Sequence, residues 1–197
     1  MSALPHKQWA AEEYLAFERA SDEKHEFIDG NIYLMTGASR QHNLIVFNLA
    51  RALGNQLQGR DCEAYVNDMR VRMKSQDYAY PDLAVTCDPP EFEDEHIDTL
   101  VNPTLVIEVL SPSTEQYDRG KKFESFRTLD SLQEYVLIAQ DRPHIERYLR
   151  QSEGAWLFSE VKGVDTSLEL PSIGCKLVLA EVYDKVTFEE DNGNIQA

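Results

Sequence analysis

Residues 104–110 read TLVIEVL and residues 80–86 read YPDLAVT, so each apolar run carries a single carboxylate, Glu108 or Asp82. Alternate side chains of a strand share a face, and both faces of the first run are apolar apart from Glu108. A strand of this kind is normally central in its sheet. An unpaired carboxylate in such a position costs several kcal/mol or becomes protonated, so both acids need a partner.

Two interpretations of Asp82 and Glu108 remain open from the residues alone. If the two acids lie on neighbouring strands, they can jointly bind a hard divalent cation, for which oxygen ligands are preferred. Alternatively, each acid is a strand-end group that pairs with an arginine or caps a turn beside Pro81 or Ser111.

A helix predicted over residues 115–129 brings a lysine towards these acids. Side chains three, four and seven residues apart are neighbours on a helix. At these spacings Lys121 meets polar residues, whereas Lys122 meets Phe126 and Leu129. The pattern predicts that Lys122 faces the core and Lys121 faces water. A lysine directed at two carboxylates is a catalytic or an ion-pair arrangement.

Helical and strand-like segments are mixed along the rest of the chain, which indicates an α/β or α+β fold. In HEFIDGNIYLM, residues 25–35, Asp29-Gly30 suits the positive φ angles of a tight hairpin. Ser39 is the expected cap of a buried helix. Other helices are expected over residues 8–19 and 42–57, other strands over 62–73, 79–87 and 134–140, and a C-terminal hairpin around 152–154.

The length of 197 residues suits one domain, placed at residues 1–188, followed by a flexible acidic tail at 189–197. No apolar run approaches the roughly 18–20 residues of a bilayer span, so no membrane partner is expected. Cys62, Cys87 and Cys175 are widely spaced and form no CxxC pair. This spacing favours a reducing, cytoplasmic location over a disulfide framework or a zinc cluster.

The charge balance argues against a general affinity for nucleic acid. Nineteen basic and thirty-five acidic side chains give a net charge of −16, which should repel DNA over most of the surface. A basic strip of Arg70, Arg72 and Lys74 would relieve the repulsion, as would an unidentified basic protein partner. The strip is equally the solvated face of an edge strand. Arg40, near a helix N-terminus, could contact a phosphate or be a plain surface residue.

Three motifs resemble those of the PD-(D/E)XK nuclease superfamily: PD at residues 81–82, EVLSPST at 108–114 and DRGKKF at 118–123. Within that superfamily the sequence is most similar to the Uma-type restriction endonucleases, and the resemblance spans nearly the whole chain. It implies a restriction-endonuclease-like mixed central sheet flanked by helices, with an added N-terminal hairpin and C-terminal strands. The implied chemistry is divalent-metal-dependent hydrolysis of phosphodiesters.

By this resemblance, Asp82 and Glu108 would bind Mg²⁺, with Mn²⁺ as a substitute and with help from the backbone carbonyl of Val109. The superfamily places its lysine two residues after the second acid, where this chain has Leu110. The catalytic lysine would then be Lys122 on the following helix, which is also the residue that the helical spacing selects.

Two further residues are weaker candidates for the same site. Glu26 precedes the hairpin turn, where superfamily members often add an acid, but it could equally be an exposed charge. His42 could touch the site or cap its helix. The expected function is a Mg²⁺-dependent DNA endonuclease that pairs as a homodimer. The alternatives are a catalytically silent nuclease-fold interaction module and a hydrolase of a smaller phosphodiester.

Overall fold

The computed structural model describes residues 8–73 and 76–188 in full and residues 2–3 by their backbone. The predicted acidic tail, residues 189–197, and the predicted nucleic-acid contact Lys74 lie outside the described residues.

Short helices alternate with many strands. The helical segments, in chain order, are α1 (Ala11–Ala20), α2 (Arg40–Leu57), α3 (Glu115–Tyr117), a π-helical segment (Asp118–Lys122), α4 (Phe123–Phe126), a 3₁₀ turn (Ser152–Gly154) and α5 (Leu179–Val182). The strands are β1 (Ser2–Ala3), β2 (His25–Ile28), β3 (Asn31–Leu34), β4 (Glu63–Val66), β5 (Arg70–Arg72), β6 (Tyr78–Ala79), β7 (Leu83–Thr86), β8 (Thr99–Leu100), β9 (Leu105–Leu110), β10 (Glu134–Ala139), β11 (His144–Arg150), β12 (Trp156–Lys162), β13 (Ser167–Leu170) and β14 (Cys175–Val178).

A six-stranded mixed sheet places the two apolar runs side by side. Its order is β12-β11-β10-β9-β7-β4, and β9 lies between parallel β10 and antiparallel β7. β9 is therefore central, as its apolar faces predicted, and all of its residues are buried. A second sheet, β1-β3-β2-β6-β5-β8, and the pair β13-β14 hold the other described strands. The predicted fold class, a mixed sheet flanked by helices, is confirmed.

The two faces of β9 belong to different cores. Ile107 lies in one core with Leu49 of α2. Val106, on the same face as Glu108, lies in a second core with Phe126 of α4. Full burial of such side chains contributes about 1.5–3 kcal/mol each. This packing fixes β9, and with it the carboxylate of Glu108, relative to α2 and α4.

Both predicted hairpins are present. β2 and β3 pair with Ile28 opposite Asn31, and the turn residues Asp29 and Gly30 have φ angles of 48° and 74°. These are the left-handed values that an Asp-Gly hairpin turn requires. β11 and β12 form the C-terminal hairpin around the 3₁₀ turn. Ser39 caps α2 as predicted, because its hydroxyl accepts the backbone N–H of His42 at 3.1 Å.

Helical structure is present where a helix was predicted over residues 115–129, but the prediction of one regular α-helix was wrong. A three-residue α-helical turn runs into the π-helical segment Asp118–Lys122 and then into α4, which ends at Phe126. Such π segments inside helices are rare and occur frequently at functional sites. Periodicity could not reveal this one because Lys122 and Phe126 still lie four residues apart on the core side.

The predicted strand over residues 62–73 is broken in the middle. Asn67 has a φ angle of 59°, and the N–H of Asp68 donates to the carbonyl of Val66 at 2.6 Å. The chain therefore leaves the central sheet after β4 and joins the second sheet as β5. Asparagine adopts the left-handed region more readily than most residues, but the surrounding apolar pattern does not signal the turn.

The cysteine spacing argued against disulfides, which was wrong, because Cys62 and Cys87 form a disulfide, while Cys175 is free and buried. The first two cysteines flank the antiparallel pair β4–β7, in which Glu63 lies opposite Thr86. This register places them directly across from each other, which their 25-residue separation did not suggest. The cysteines therefore no longer argue for a reducing compartment.

Candidate functional site

A cleft of about 630 Å³ lies at the C-terminal end of β9 and collects the sequence-predicted residues. The start of α2 forms part of its wall, and the π-helical segment forms another part. The predicted site residues that line it are Glu26, His42, Asp82, Glu108, Val109 and Lys122.

Lys122 lies at the centre of a buried cluster of acids. Its Nζ is 2.9 Å from Glu108 Oε1 and 3.0 Å from Glu26 Oε1. Asp118 Oδ1 is 3.7 Å away, one helical turn earlier in the chain. The side chain of Lys122 is only 6% exposed, whereas that of Lys121 is 62% exposed and pairs with Asp29. The predicted inward orientation of Lys122 is confirmed.

Asp82 is tied to the strand that carries Glu108. Its Oδ2 accepts the backbone N–H of Val109 at 2.7 Å and lies 3.2 Å from Nε2 of His42. β7 begins at the next residue and pairs with β9, so the two acids come from neighbouring strands. Asp82 remains partly exposed to the cleft, with 17% of its side-chain surface accessible.

Burial and charge act against each other in this cluster. Burial raises the pKa of Glu108 well above its ordinary value, and Lys122 opposes that rise while Asp118 and Asp82 add to it. Burial also works against the charge of Lys122, but Glu108, Glu26 and Asp118 raise its pKa well above the ordinary value. The lysine is therefore held as an ammonium group that shares its charge among several carboxylates.

Asp118 is a site residue that the sequence reasoning missed. It is buried beside Lys122, and burial raises the pKa of its carboxyl group while Lys122 lowers it. The signal was present in the sequence, because a residue four positions before Lys122 shares its helical face. With Glu26 and Glu108, Asp118 brings to three the carboxylates that surround Lys122, and Asp82 lines the same cleft.

This set of donors is suited to a divalent cation. Carboxylate oxygens are the ligands that Mg²⁺ and Ca²⁺ prefer, and an excess of carboxylates over cations leaves a local negative charge. Asp82 presents its carboxylate to an accessible cleft rather than to a sealed core. The residues present therefore fit a hard metal ion on the chemistry of their oxygen atoms.

Of the predicted basic strip, the structure describes Arg70 and Arg72, and Arg70 is not exposed. Arg70 is 2% exposed, donates to Thr99 Oγ1 at 2.9 Å and pairs with Asp98 at 3.0 Å. Its placement on a solvent-facing strip was wrong, because aromatic and acidic partners enclose its guanidinium group. Arg72 is partly exposed and pairs with Glu93 at 3.1 Å.

Arg40 is exposed at the first position of α2, beside the cleft-lining Ser39. Its contact with a phosphate stays a prediction.

A second cluster of ionisable groups lies away from the cleft, on β11 and β12. His144 Nε2 is 2.9 Å from Glu160 and 3.6 Å from Glu146. Lys162 pairs with Glu160 at 2.7 Å, and Arg119 pairs with Glu146. Both carboxylates of this cluster already have a cationic partner, so we assign no metal to it.

Comparison with known proteins identifies the relatives of the chain. A model of the Uma2 family, described as "Putative restriction endonuclease", matches residues 11–180. The chain belongs to the Uma2 family. The match spans β2, β7, β9 and the π-helical segment, so the cleft and its acids lie entirely within the part of the chain that the family shares. The predicted family resemblance is confirmed.

Two relatives and one solved structure are also similar to this chain. The uncharacterized protein slr1290 of Synechocystis sp. is 39% identical over 94% of this chain and 97% of its own length. A second uncharacterized Synechocystis protein, sll1609, is 40% identical over 81% of this chain and 90% of its own length. The crystal structure of a putative nuclease belonging to DUF820, from Anabaena variabilis, superposes on this chain with a TM-score of 0.71 at 20% identity. It covers 88% of this chain and 96% of that one, and it supports the fold.

Within the described part of the chain, none of the helices combines the length and the apolar character that a membrane span requires.

Proposed function

We propose that this Uma2-family chain is an endonuclease that hydrolyses phosphodiester bonds of DNA with the help of Mg²⁺ or Mn²⁺. Membership of the family supports a nuclease. The main support for metal-assisted hydrolysis is the position of Lys122 Nζ. It lies 2.9 Å from Glu108 and 3.0 Å from Glu26, in a cleft that Asp82 also lines. Two acids on adjoining strands and a lysine from the helical segment beside them make a compact hydrolytic arrangement.

The proposed metal ligands are Asp82, Glu108 and the backbone carbonyl of Val109. A bound divalent cation would lower the pKa of a water molecule and offset charge on the phosphate oxygens. Two groups of the chain hold one of these proposed ligands, Asp82, in place. Val109 and His42 both contact Oδ2 of Asp82, which fixes the orientation of the carboxylate. Such contacts to a ligand commonly tune metal binding.

Lys122 acts as a fixed positive charge beside the reacting phosphate. Because surrounding acids raise its pKa well above the ordinary value, it stays protonated at neutral pH and does not serve as a base. A positioned ammonium group of this kind orients a water molecule or stabilises negative charge as it develops. Glu26 and Asp118 hold the ammonium in place, and they prevent it from neutralising Glu108 completely.

The proposal is tested by replacing Asp82, the more accessible of the two proposed metal-binding acids. Asp82→Asn should lower Mg²⁺-dependent cleavage of plasmid DNA by about 100-fold or more and Mn²⁺ affinity by at least about tenfold. Asp68→Asn is the matched control, because Asp68 lines the same cleft but pairs with exposed Lys24. It should stay within about twofold of the wild type for both measurements. Unchanged cleavage by Asp82→Asn would refute the assignment.

A second candidate function is the hydrolysis of a smaller phosphodiester. The net charge of −16 and the burial of Arg70 favour it, because both reduce the attraction of a long polyanion. Cleavage of bis(p-nitrophenyl) phosphate without cleavage of plasmid or oligonucleotide DNA would select this candidate. Mn²⁺ binding without hydrolysis of either substrate would instead indicate a silent interaction module.

A further inference from the structure

Glu26 is held by the backbone of Tyr80, which also lines the cleft, as well as by Lys122. The backbone N–H of Tyr80 donates to Glu26 Oε1 at 3.3 Å. The same oxygen lies 3.0 Å from Lys122 Nζ. Tyr80 therefore contacts the carboxylate that shares the ammonium group with Glu108.

The side chain of Tyr80 is itself fixed by a buried network. Its hydroxyl donates to Glu18 Oε1 at 3.0 Å and accepts from Arg70 Nη1 at 3.1 Å. Glu18 Oε1 also accepts the backbone N–H of His25 at 2.9 Å, and its Oε2 is 2.9 Å from Nδ1 of the same residue. Glu18, His25 and Arg70 are all buried.

The carboxylate of Glu18 therefore binds two residues next to Glu26, one adjacent in sequence and one that contacts the Glu26 carboxylate. Glu18 holds His25, which precedes Glu26 in β2, and it holds Tyr80, whose amide binds the Glu26 carboxylate. Hydrogen-bond networks that are buried and fully satisfied restrict the motion of their members. Outer contacts to metal-site and catalytic carboxylates commonly set the orientation of the inner groups.

We infer that Tyr80 and Glu18 are positioning residues that hold Glu26 against Lys122. The consequence for activity rests on the function proposed above, whereas the geometric consequence does not. Neither group is a catalytic residue, because the Tyr80 hydroxyl and the Glu18 carboxylate bond to each other within the buried network. With Glu26 displaced, Lys122 would pair more fully with Glu108 and compete with a cation for that ligand.

A purely structural role for the network predicts a different result. Buried charged groups such as Glu18 and Arg70 need partners whatever the chain does. Loss of one partner would then lower stability without moving Glu26. The deciding measurement is therefore the separation of Glu26 and Lys122, together with metal affinity, rather than stability alone.

The test compares two tyrosine hydroxyls. Tyr80→Phe removes only the hydroxyl of the network, and Tyr78→Phe removes a buried hydroxyl that donates to Glu93 at 2.7 Å, outside the lining of the cleft. By crystallography, Tyr80→Phe should lengthen the Glu26–Lys122 contact beyond the about 4 Å limit of an ion pair. By calorimetry, it should weaken Mn²⁺ binding by about tenfold. Tyr78→Phe should change neither quantity.

Glu18 supplies an independent check through a conservative pair. Glu18→Gln keeps a side-chain oxygen for Tyr80 and His25 and should preserve the Glu26–Lys122 contact, whereas Glu18→Ala should break it. If that contact is intact in both Tyr80→Phe and Glu18→Ala, the inference is overturned. A wild-type chain that binds no Mn²⁺ would refute the proposed metal site, and the Glu26–Lys122 separation would still decide the positioning role.

Discussion

Replacing Lys122 with methionine should destabilise the fold strongly at neutral pH. Methionine has a similar volume but leaves Glu108, Glu26 and Asp118 buried without their shared cation. At an effective dielectric constant of about 20, each contact near 3 Å is worth about 6 kcal/mol of attraction. The desolvation of the ammonium group offsets part of this attraction. Removal of one partner from a buried ion pair typically costs about 3–5 kcal/mol, which is the loss expected here.

The loss should depend on pH in a defined direction. Burial raises the pKa of Glu108 above its ordinary value of 4.5, and without Lys122 the pKa of Glu108 rises further. A carboxyl group with a raised folded-state pKa contributes stability that is fully present below its unfolded pKa and is lost as pH rises through the folded value. The destabilisation of Lys122→Met should therefore be small near pH 4.5 and should grow towards pH 8.

Urea denaturation at pH 5 and pH 8 measures this difference directly. Lys121→Met is the matched control, because Lys121 is exposed and its ion pair with Asp29 lies at the surface. That variant should lose less than about 1 kcal/mol at either pH. Equal losses in the two variants, or a Lys122→Met loss that does not change with pH, would refute the argument that buried acids share this ammonium group.

Two further predictions concern residues outside the cleft. Cys62→Ser should lower the free energy of unfolding by about 3.5 kcal/mol, as expected for opening a 25-residue loop, and a reducing agent should lower the stability of the wild type but not of the variant. Arg70→Met should cost about 3 kcal/mol or more in urea denaturation because it leaves buried polar partners unpaired, whereas Arg72→Met, at a partly exposed pair, should cost less than about 1 kcal/mol. Equal costs for the two arginine variants would contradict the burial argument.

The centre of the fold could be predicted because local sequence and tertiary packing agree there. A strand that is apolar on both faces has one favourable place, the middle of a covered sheet, and β9 occupies it. The inward orientation of Lys122 followed from Phe126, which lies four residues further along the same side. In both cases the spacing of the apolar residues predicted the burial of the segment. The inward positions of Glu108 and Lys122 could be predicted from that spacing.

The parts that could not be predicted depend on contacts between distant segments. Arg70 is buried because its guanidinium group lies over the rings of Tyr14, from α1, and Tyr80. The alternation along β5 gives no sign of α1, so a basic strip was the natural expectation. The register between β4 and β7 brings Cys62 and Cys87 together. No local pattern fixes that register.

The acids of the cleft are also difficult to explain by stability. An apolar side chain in place of a buried ion pair is often neutral or stabilising, so three buried carboxylates around one lysine cost more than the alternatives. Perturbed ionisable groups gathered in a cleft are typical of functional sites. A divalent cation bound by these acids would offset most of their excess negative charge and so reduce the repulsion of an anionic phosphodiester by a chain whose net charge is −16. The same ion would thus account both for the buried acids and for the approach of a negatively charged substrate.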